Sequence, residues 1–193
     1  MVYNLAAGVQ AFTSNAFLVP GERTVLVDTG ANFDAVSAIE ERTGDLDAVV
    51  LTHTHEDHVG NLESVKTAFD VDAWGFDTEQ GGVDHGIADE ETVEIGDHEY
   101  VALHTPGHKN DHLAFYAQDA STLFVGDLVF QNGSFGRTDL EEGDRGTLVD
   151  SIGRLLDRVD PDLETMHAGH GPSAEGGAYR HLELARQFAA GGV

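Results

Sequence analysis

The stretch THTHEDHVG, residues 52–60, sets three histidines and two acids within nine positions. Ionisable side chains crowded like this repel and desolvate one another, so a hydrophobic core gains nothing from them. They follow directly on DAVVLT (47–52), whose apolar run has the pattern of a buried strand. The chain must therefore fold so that a strand ends at a loop rich in ligand-type side chains. His53 and His55 are two apart, and an extended backbone points both to one side. Asp57 and His58 are adjacent and point differently, so the motif suggests two neighbouring sites.

A zinc site needs about four donors, and other segments offer them. TPGHKNDH (105–112) presents His108 after a Pro-Gly turn. FVGDLVF (124–130) puts Asp127 at the end of an apolar strand, where a buried carboxylate requires a cation or strong hydrogen bonds. AGHGP (168–172) holds His170 between glycines that allow close backbone approach. The sequence has no cysteine, so any metal must take nitrogen and oxygen donors. Five histidines and two aspartates exceed the needs of one four-coordinate ion. They suit two divalent ions sharing a bridging carboxylate, zinc foremost, with iron or manganese as alternatives. Two such ions bring four positive charges; Asp57, Asp127 and a shared hydroxide cancel three, and the remainder stabilises an anionic transition state. This is the composition of a hydrolytic site.

Strands are predicted at 15–19 and 24–28 as a hairpin around PGER, and at 47–52, 71–76, 100–105, 112–117, 122–127 and 163–169. Helices are predicted at 33–44, ending at Gly44, and at 59–69, 146–159 and 178–190. The 146–159 helix carries Leu148, Ile152, Leu155, Leu156 and Val159 on one side. His53, His108, Asp127 and His170 each come just after a predicted strand, where α/β proteins place their chemistry. The 193 residues are enough for a sizeable core, and one domain over 1–193 is expected.

Thirty-five acids against ten Lys plus Arg give a formal net charge of −25. Such a chain repels nucleic acid, so no nucleic-acid partner is expected. The acids are spread along the whole sequence, as in proteins of salt-loving organisms, and a halophilic source is expected. No run approaches the ~20 apolar residues of a membrane span. MVYNLAAGVQAF lacks the basic start of a signal peptide, so a cytoplasmic location is expected.

Taken in order, THTHEDHVG, TPGH, GD and GHG resemble the motif series of the metallo-β-lactamase superfamily, over residues 15–172. The resemblance implies the α/β class and a four-layer αββα sandwich with its site at one edge. It implies that His53, His55 and His108 bind one metal, that Asp57, His58 and His170 bind the other, and that Asp127 bridges. GRTDLEEGDRGTLVDSI (136–152) is similar to a segment of short glyoxalase II-like hydrolases and of persulfide dioxygenases. Full-length glyoxalase II adds a C-terminal helical domain that helps bind glutathione; only 23 residues follow His170, so that domain is expected to be absent. The reading favoured is hydrolysis of a small-molecule thioester, with Asp57 orienting the nucleophile as well as binding metal. The alternatives are a persulfide dioxygenase, with one iron on His53, His108 and Asp127, and a lactonase or β-lactamase.

Of the other polar residues, Lys109 is expected in solvent, and His112 is a candidate for supporting the site or touching substrate. Arg137 and Asp139 are expected to form an ion pair that holds their loop near the metals. Asp28 either hydrogen-bonds the metal-bearing loops or forms a turn. Glu56 is expected to face solvent. His85, His98, His104, His167 and His181 are expected to be surface or packing residues, and Trp74 and Phe76 core.

Overall fold

The structure, a computed structural model, describes residues 1–191. One sheet contains β1 (Tyr3–Asn4), β2 (Phe17–Val19), β3 (Val25–Val27), β4 (Ala48–Val50), β5 (Ala73–Gly75) and β6 (His85–Gly86), in that spatial order. The other contains β7 (Thr92–Ile95), β8 (His98–His104), β9 (Leu113–Ala117), β10 (Thr122–Gly126), β11 (Thr165–Ala168) and β12 (Ala174–Glu175). Its order is β12-β11-β10-β9-β8-β7. The β2–β3 hairpin is antiparallel, with Leu18 opposite Leu26, as its sequence suggests. β3 to β6 run parallel, as do β10 and β11.

Side chains alternate along each strand, and that alternation builds four layers. Phe17, Val25, Val27, Ala48 and Val50 of the first sheet meet Tyr100, Ala102, Leu113, Phe115 and Phe124 of the second. Their neighbours Leu18, Leu26, Val49 and Leu51 point the other way, onto α1 (Ala35–Glu40) and α3 (Leu62–Phe69) through Ala35, Ile39, Leu62 and Val65. Leu103, Ala114, Leu123 and Val125 leave the second sheet toward α4 (Arg145–Arg158) and α5 (Tyr179–Ala189). There they meet Leu148, Ile152, Leu155, Leu182 and Ala185. Each fully buried aliphatic chain contributes roughly 2 kcal/mol. This is the αββα sandwich expected from the sequence. No helix among the described residues is long and apolar enough to cross a membrane.

Helix boundaries depart from the sequence expectation for physical reasons. α1 is capped by Asp34, which accepts from the Ser37 N–H at 3.0 Å, but it stops at Glu40 rather than Gly44. After Ile39 the next apolar residue is Leu46, so further turns would bury nothing. The helix expected at 59–69 begins earlier, as a separate turn, α2 (Glu56–Val59), and restarts at Leu62. Asn61 separates the two: its N–H bonds to the Gly30 carbonyl and its side-chain amide to the Thr29 carbonyl, both at 3.0 Å. α4 runs nearly as predicted, capped by Asp144 on the Thr147 N–H at 2.7 Å, although Leu156 is only partly buried. Trp74 and Phe76 are half-buried rather than core, because only the two-residue β6 lies beyond β5. Trp74 packs on His85, and Phe76 stacks on His104 at 3.8 Å between ring centres.

The sheets are stitched together at one end by backbone hydrogen bonds. The Leu113 N–H bonds to the Thr52 carbonyl at 2.7 Å, and the Asn15 N–H to the Gly169 carbonyl at 2.7 Å. The ligand-type residues gather at this end.

Candidate metal centre

Each loop that leaves this end delivers part of the constellation. His53 and His55 follow β4, and Asp57 and His58 lie in α2. His108 comes from the β8–β9 connection, Asp127 follows β10, and His170 follows β11. All seven candidate ligands converge. His53 Nε2 is 3.0 Å from His55 Nδ1, and the His108 ring lies 5.0 Å from that of His53 and 4.6 Å from that of His55. In a second group, His170 Nε2 is 3.0 Å from Asp57 Oδ2, and its ring is 5.5 Å from that of His58. In each trio, His53/His55/His108 and Asp57/His58/His170, the donor atoms lie within 4.8 Å of one another. Asp127 stands between them. Its Oδ1 is 3.4 Å from His58 Nε2, and its Oδ2 is 3.4 Å from both His108 Nε2 and His170 Nε2.

The buried rings are aimed by their opposite nitrogens. His58 Nδ1–H donates to Asp28 Oδ2 at 2.8 Å. His108 Nδ1–H donates to the Arg137 carbonyl at 2.8 Å. His53 Nδ1 lies 3.1 Å from Thr52 Oγ1, whose hydroxyl donates to Asp28 Oδ2 at 2.7 Å. Each of these rings thereby turns its Nε2 lone pair inward, as metal-bound imidazoles do. His58 Nε2, His108 Nε2 and Asp127 Oδ1 are buried and find no hydrogen-bond partner in the protein. An unsatisfied buried polar atom costs about 1–3 kcal/mol, and three of them gathered at the Asp127 carboxylate fit cations there. The donor chemistry, imidazole and carboxylate without thiolate, suits zinc, iron or manganese.

The acids make this end of the sandwich strongly negative, so it favours positive charge, as protons on the rings or as a cation between them. Burial opposes charge on His58, but Asp28 and Asp127 outweigh it and push the imidazole up to about 10. Burial likewise opposes charge on His170, which Asp127 and Asp57 raise to about 9. Burial, then His58, keep His53 well below the usual imidazole range. Burial favours a neutral Asp127, yet His58 and His170 hold its carboxyl well below the ordinary carboxylate range. Asp127 is thus ionised and tightly engaged.

Supporting residues can now be sorted. Asp28 takes the first of its two readings: it holds the metal-bearing loops, its backbone at φ 56° and its carboxylate accepting from Thr52 N–H, Thr52 Oγ1–H and His58 Nδ1–H. His112 supports the site: its Nε2 accepts from the Asp127 N–H at 3.1 Å, and burial pushes it down to about 3. Lys109 corrects the sequence expectation. It is 6 % exposed, with its ammonium 3.0 Å from Glu142 and 3.3 Å from Asp111, whose other oxygen accepts from Thr54 Oγ1 at 2.6 Å. Arg137 and Asp139 do pair, at 2.8 Å, but on the surface; their loop meets the site through the Arg137 carbonyl instead. Glu56 is exposed. His85 and His98 pair with Asp72 and Asp119, and His181 accepts from the Asn132 N–H. His167 packs between Phe17 and Phe124. Gly169 lies so close to Asp127 that a methyl group there would strike the carboxylate. Thr52, Asn15, Asp111 and Glu142 went unnoticed in the sequence, since nothing in their spacing distinguishes them from ordinary turn and surface residues.

A two-sheet sandwich with imidazole and carboxylate donors at one end of its strands is the architecture of a metal-dependent hydrolase. The chain belongs to the metallo-beta-lactamase superfamily, whose model matches residues 9–170, and members of that family bind divalent metals. It is 31% identical over 188 residues to hydroxyacylglutathione hydrolase GloC of Haemophilus influenzae, covering 84% of this chain and 88% of that one. It is 30% identical over 181 residues to the probable metallo-hydrolase YqgX of Bacillus subtilis, covering 82% and 85%. Among solved structures it resembles TTHA1623 in a di-iron-bound form, with TM-score 0.76 and 29% identity over 95% of this chain and 96% of that one.

Proposed function

We propose that this chain is a binuclear metal-dependent hydrolase of thioesters, similar in activity to glyoxalase II. The observation that carries the two-ion part is Asp127, whose carboxylate reaches toward both donor trios. In this reading His53, His55 and His108 hold one ion, Asp57, His58 and His170 hold the other, and Asp127 serves both. Two bound divalent ions supply Lewis acidity and a water made nucleophilic near neutral pH. Asp57, ionised and half-buried, accepts a hydrogen bond from the attacking water and sets its direction as well as binding metal. Asp28, Thr52 and the Arg137 carbonyl keep the ring lone pairs turned inward throughout.

The thioester part rests on leaving-group chemistry and on kinship. A thiolate departs without a strong general acid. Lys109, the amine next to His108 in sequence, is buried and held in ion pairs with Glu142 and Asp111. The name of the Haemophilus relative, hydroxyacylglutathione hydrolase, points to the same substrate class. Zinc is the proposed metal, with iron the alternative that the di-iron form of TTHA1623 supports.

The test is elemental analysis of purified protein, followed by assay with S-lactoyl thioesters at high salt. Two metal ions per chain are expected, with hydrolysis abolished by chelation and restored by zinc or iron. One iron per chain with no thioester turnover would overturn the proposal.

A further inference from the structure

We propose that Asn15 is the positioning residue for the second ion, the one assigned to Asp57, His58 and His170. This rests on the two-ion reading above. Asn15 belongs to neither the helices nor the ligand loops; it lies just before β2. Yet its side-chain amide donates two hydrogen bonds across the sandwich, to the carbonyls of Ala168 and Gly171, each at 2.8 Å. Its own N–H bonds to the Gly169 carbonyl at 2.7 Å. The segment 168–171 is therefore gripped on both sides of His170.

The direction of these bonds is fixed by the backbone. The Ala6 and Ala16 N–H groups donate to Asn4 Oδ1, at 3.1 and 3.4 Å, so the other end of the Asn4 side chain must be its amine. That amine donates to Asn15 Oδ1 at 2.8 Å, which leaves Asn15 Nδ2 to face the two carbonyls. A carbonyl can only accept, so the position requires a side chain with two N–H donors. The preceding residue completes the clasp: the Ser14 N–H bonds to the Asp57 carbonyl at 3.1 Å. Residues 14 and 15 thus anchor the loops of Asp57 and His170, which come from different sheets. The His53/His55/His108 trio takes its anchors elsewhere, from Thr52 and the Arg137 carbonyl.

The test is equilibrium zinc titration against a competing chelator, with wild type, Asn15→Ala, Asn15→Asp and Asn4→Ala. Asn15→Asp places a carboxylate against two carbonyl oxygens and should weaken the second zinc about 100-fold; Asn15→Ala should weaken it about 10-fold. Asn4→Ala, which frees the amide to turn, should have a smaller effect in the same direction. The first zinc should stay within about twofold of wild type in all three. Equal weakening of both ions, or of neither, would overturn the inference. If the Asn15 variants do not fold, Asn4→Ala decides by the same criterion. A wild type that binds a single zinc defeats the two-ion reading, and this inference with it, before any variant is compared.

Discussion

Replacing Asp28 by Asn tests how strongly the metal centre depends on residues that never touch the metal. The change is isosteric. It also keeps the backbone: Asp28 sits at φ 56°, and Asn is among the residues that tolerate this region best. What it removes is acceptor capacity. The carboxylate takes hydrogen bonds from Thr52 N–H at 2.8 Å, Thr52 Oγ1–H at 2.7 Å and His58 Nδ1–H at 2.8 Å. An Asn oxygen kept on the Thr52 N–H turns the NH2 group toward Thr52 Oγ1 and His58 Nδ1. Donor then faces donor at a ring that is fully buried. Either His58 loses its partner, or its proton moves to Nε2 and blocks the lone pair aimed beside Asp127. A buried donor left unpaired costs about 1–3 kcal/mol, which corresponds to about 5- to 150-fold in metal affinity. Equilibrium zinc titration against a competing chelator should shift to higher free zinc by that factor. Far-UV circular dichroism should be unchanged. A variant whose zinc dependence superimposes on wild type would refute the claim that Asp28 sets the His58 tautomer.

Gly169→Ala should drive a methyl group into the Asp127 carboxylate and lower both metal content after dialysis and activity, by at least about tenfold; full metal retention would show that the loop yields. His167 is buried, and burial pushes it down to about 4, so the unfolded chain takes up its proton first as pH falls below about 6.5. Its contribution is intact above pH 6.5 and is lost toward pH 4, amounting to about 2 kcal/mol at pH 5. Urea unfolding of metal-free protein at pH 7 and pH 5 should show a loss in wild type that exceeds the loss in His167→Asn by about 2 kcal/mol. Lys109→Met should destabilise the protein by about 3 kcal/mol, because it leaves buried Asp111 without its cation. Adding Asp111→Asn should recover part of that loss in a double-mutant cycle, and strict additivity of the two changes would mean they do not interact.

The layers of the fold were legible wherever a strand is long enough to show its period. Phe17–Val19, Leu113–Ala117 and Thr122–Gly126 alternate between two cores, and α4 repeats its apolar face over four turns. The strands missed were short or disguised. β1, β6 and β12 have two residues each, too few for any pattern, and β7 lies hidden in ADEETVEIGDHEY, where every second residue is charged or exposed. The seven donors stood out because few side chains can bind a metal, and crowding them together has little other use. Lys109 was misread for the converse reason. A lone lysine in a polar turn looks solvated, and its main partner, Glu142, is 33 residues away. Asn15 acts through the carbonyls of Ala168 and Gly171, and a main-chain carbonyl carries no signature in sequence.

Both donor trios draw on both sheets. His53 and His55 follow a strand of the first sheet and His108 a strand of the second; Asp57 and His58 come from the first and His170 from the second. Neither trio is complete until the sandwich has closed. Closure without a cation also has a cost, since it buries two imidazole nitrogens and a carboxylate oxygen that find no partner. Whatever binds there repays the cost only in the folded state, so ligand binding and sheet docking are linked equilibria. The backbone bonds from Leu113 to Thr52 and from Asn15 to Gly169 cross at the same end and hold the sheets at the separation the donors require. This accounts for the position of THTHEDHVG directly after a buried strand. The strand brings the histidines to the one edge of the sandwich where loops from the other sheet can meet them.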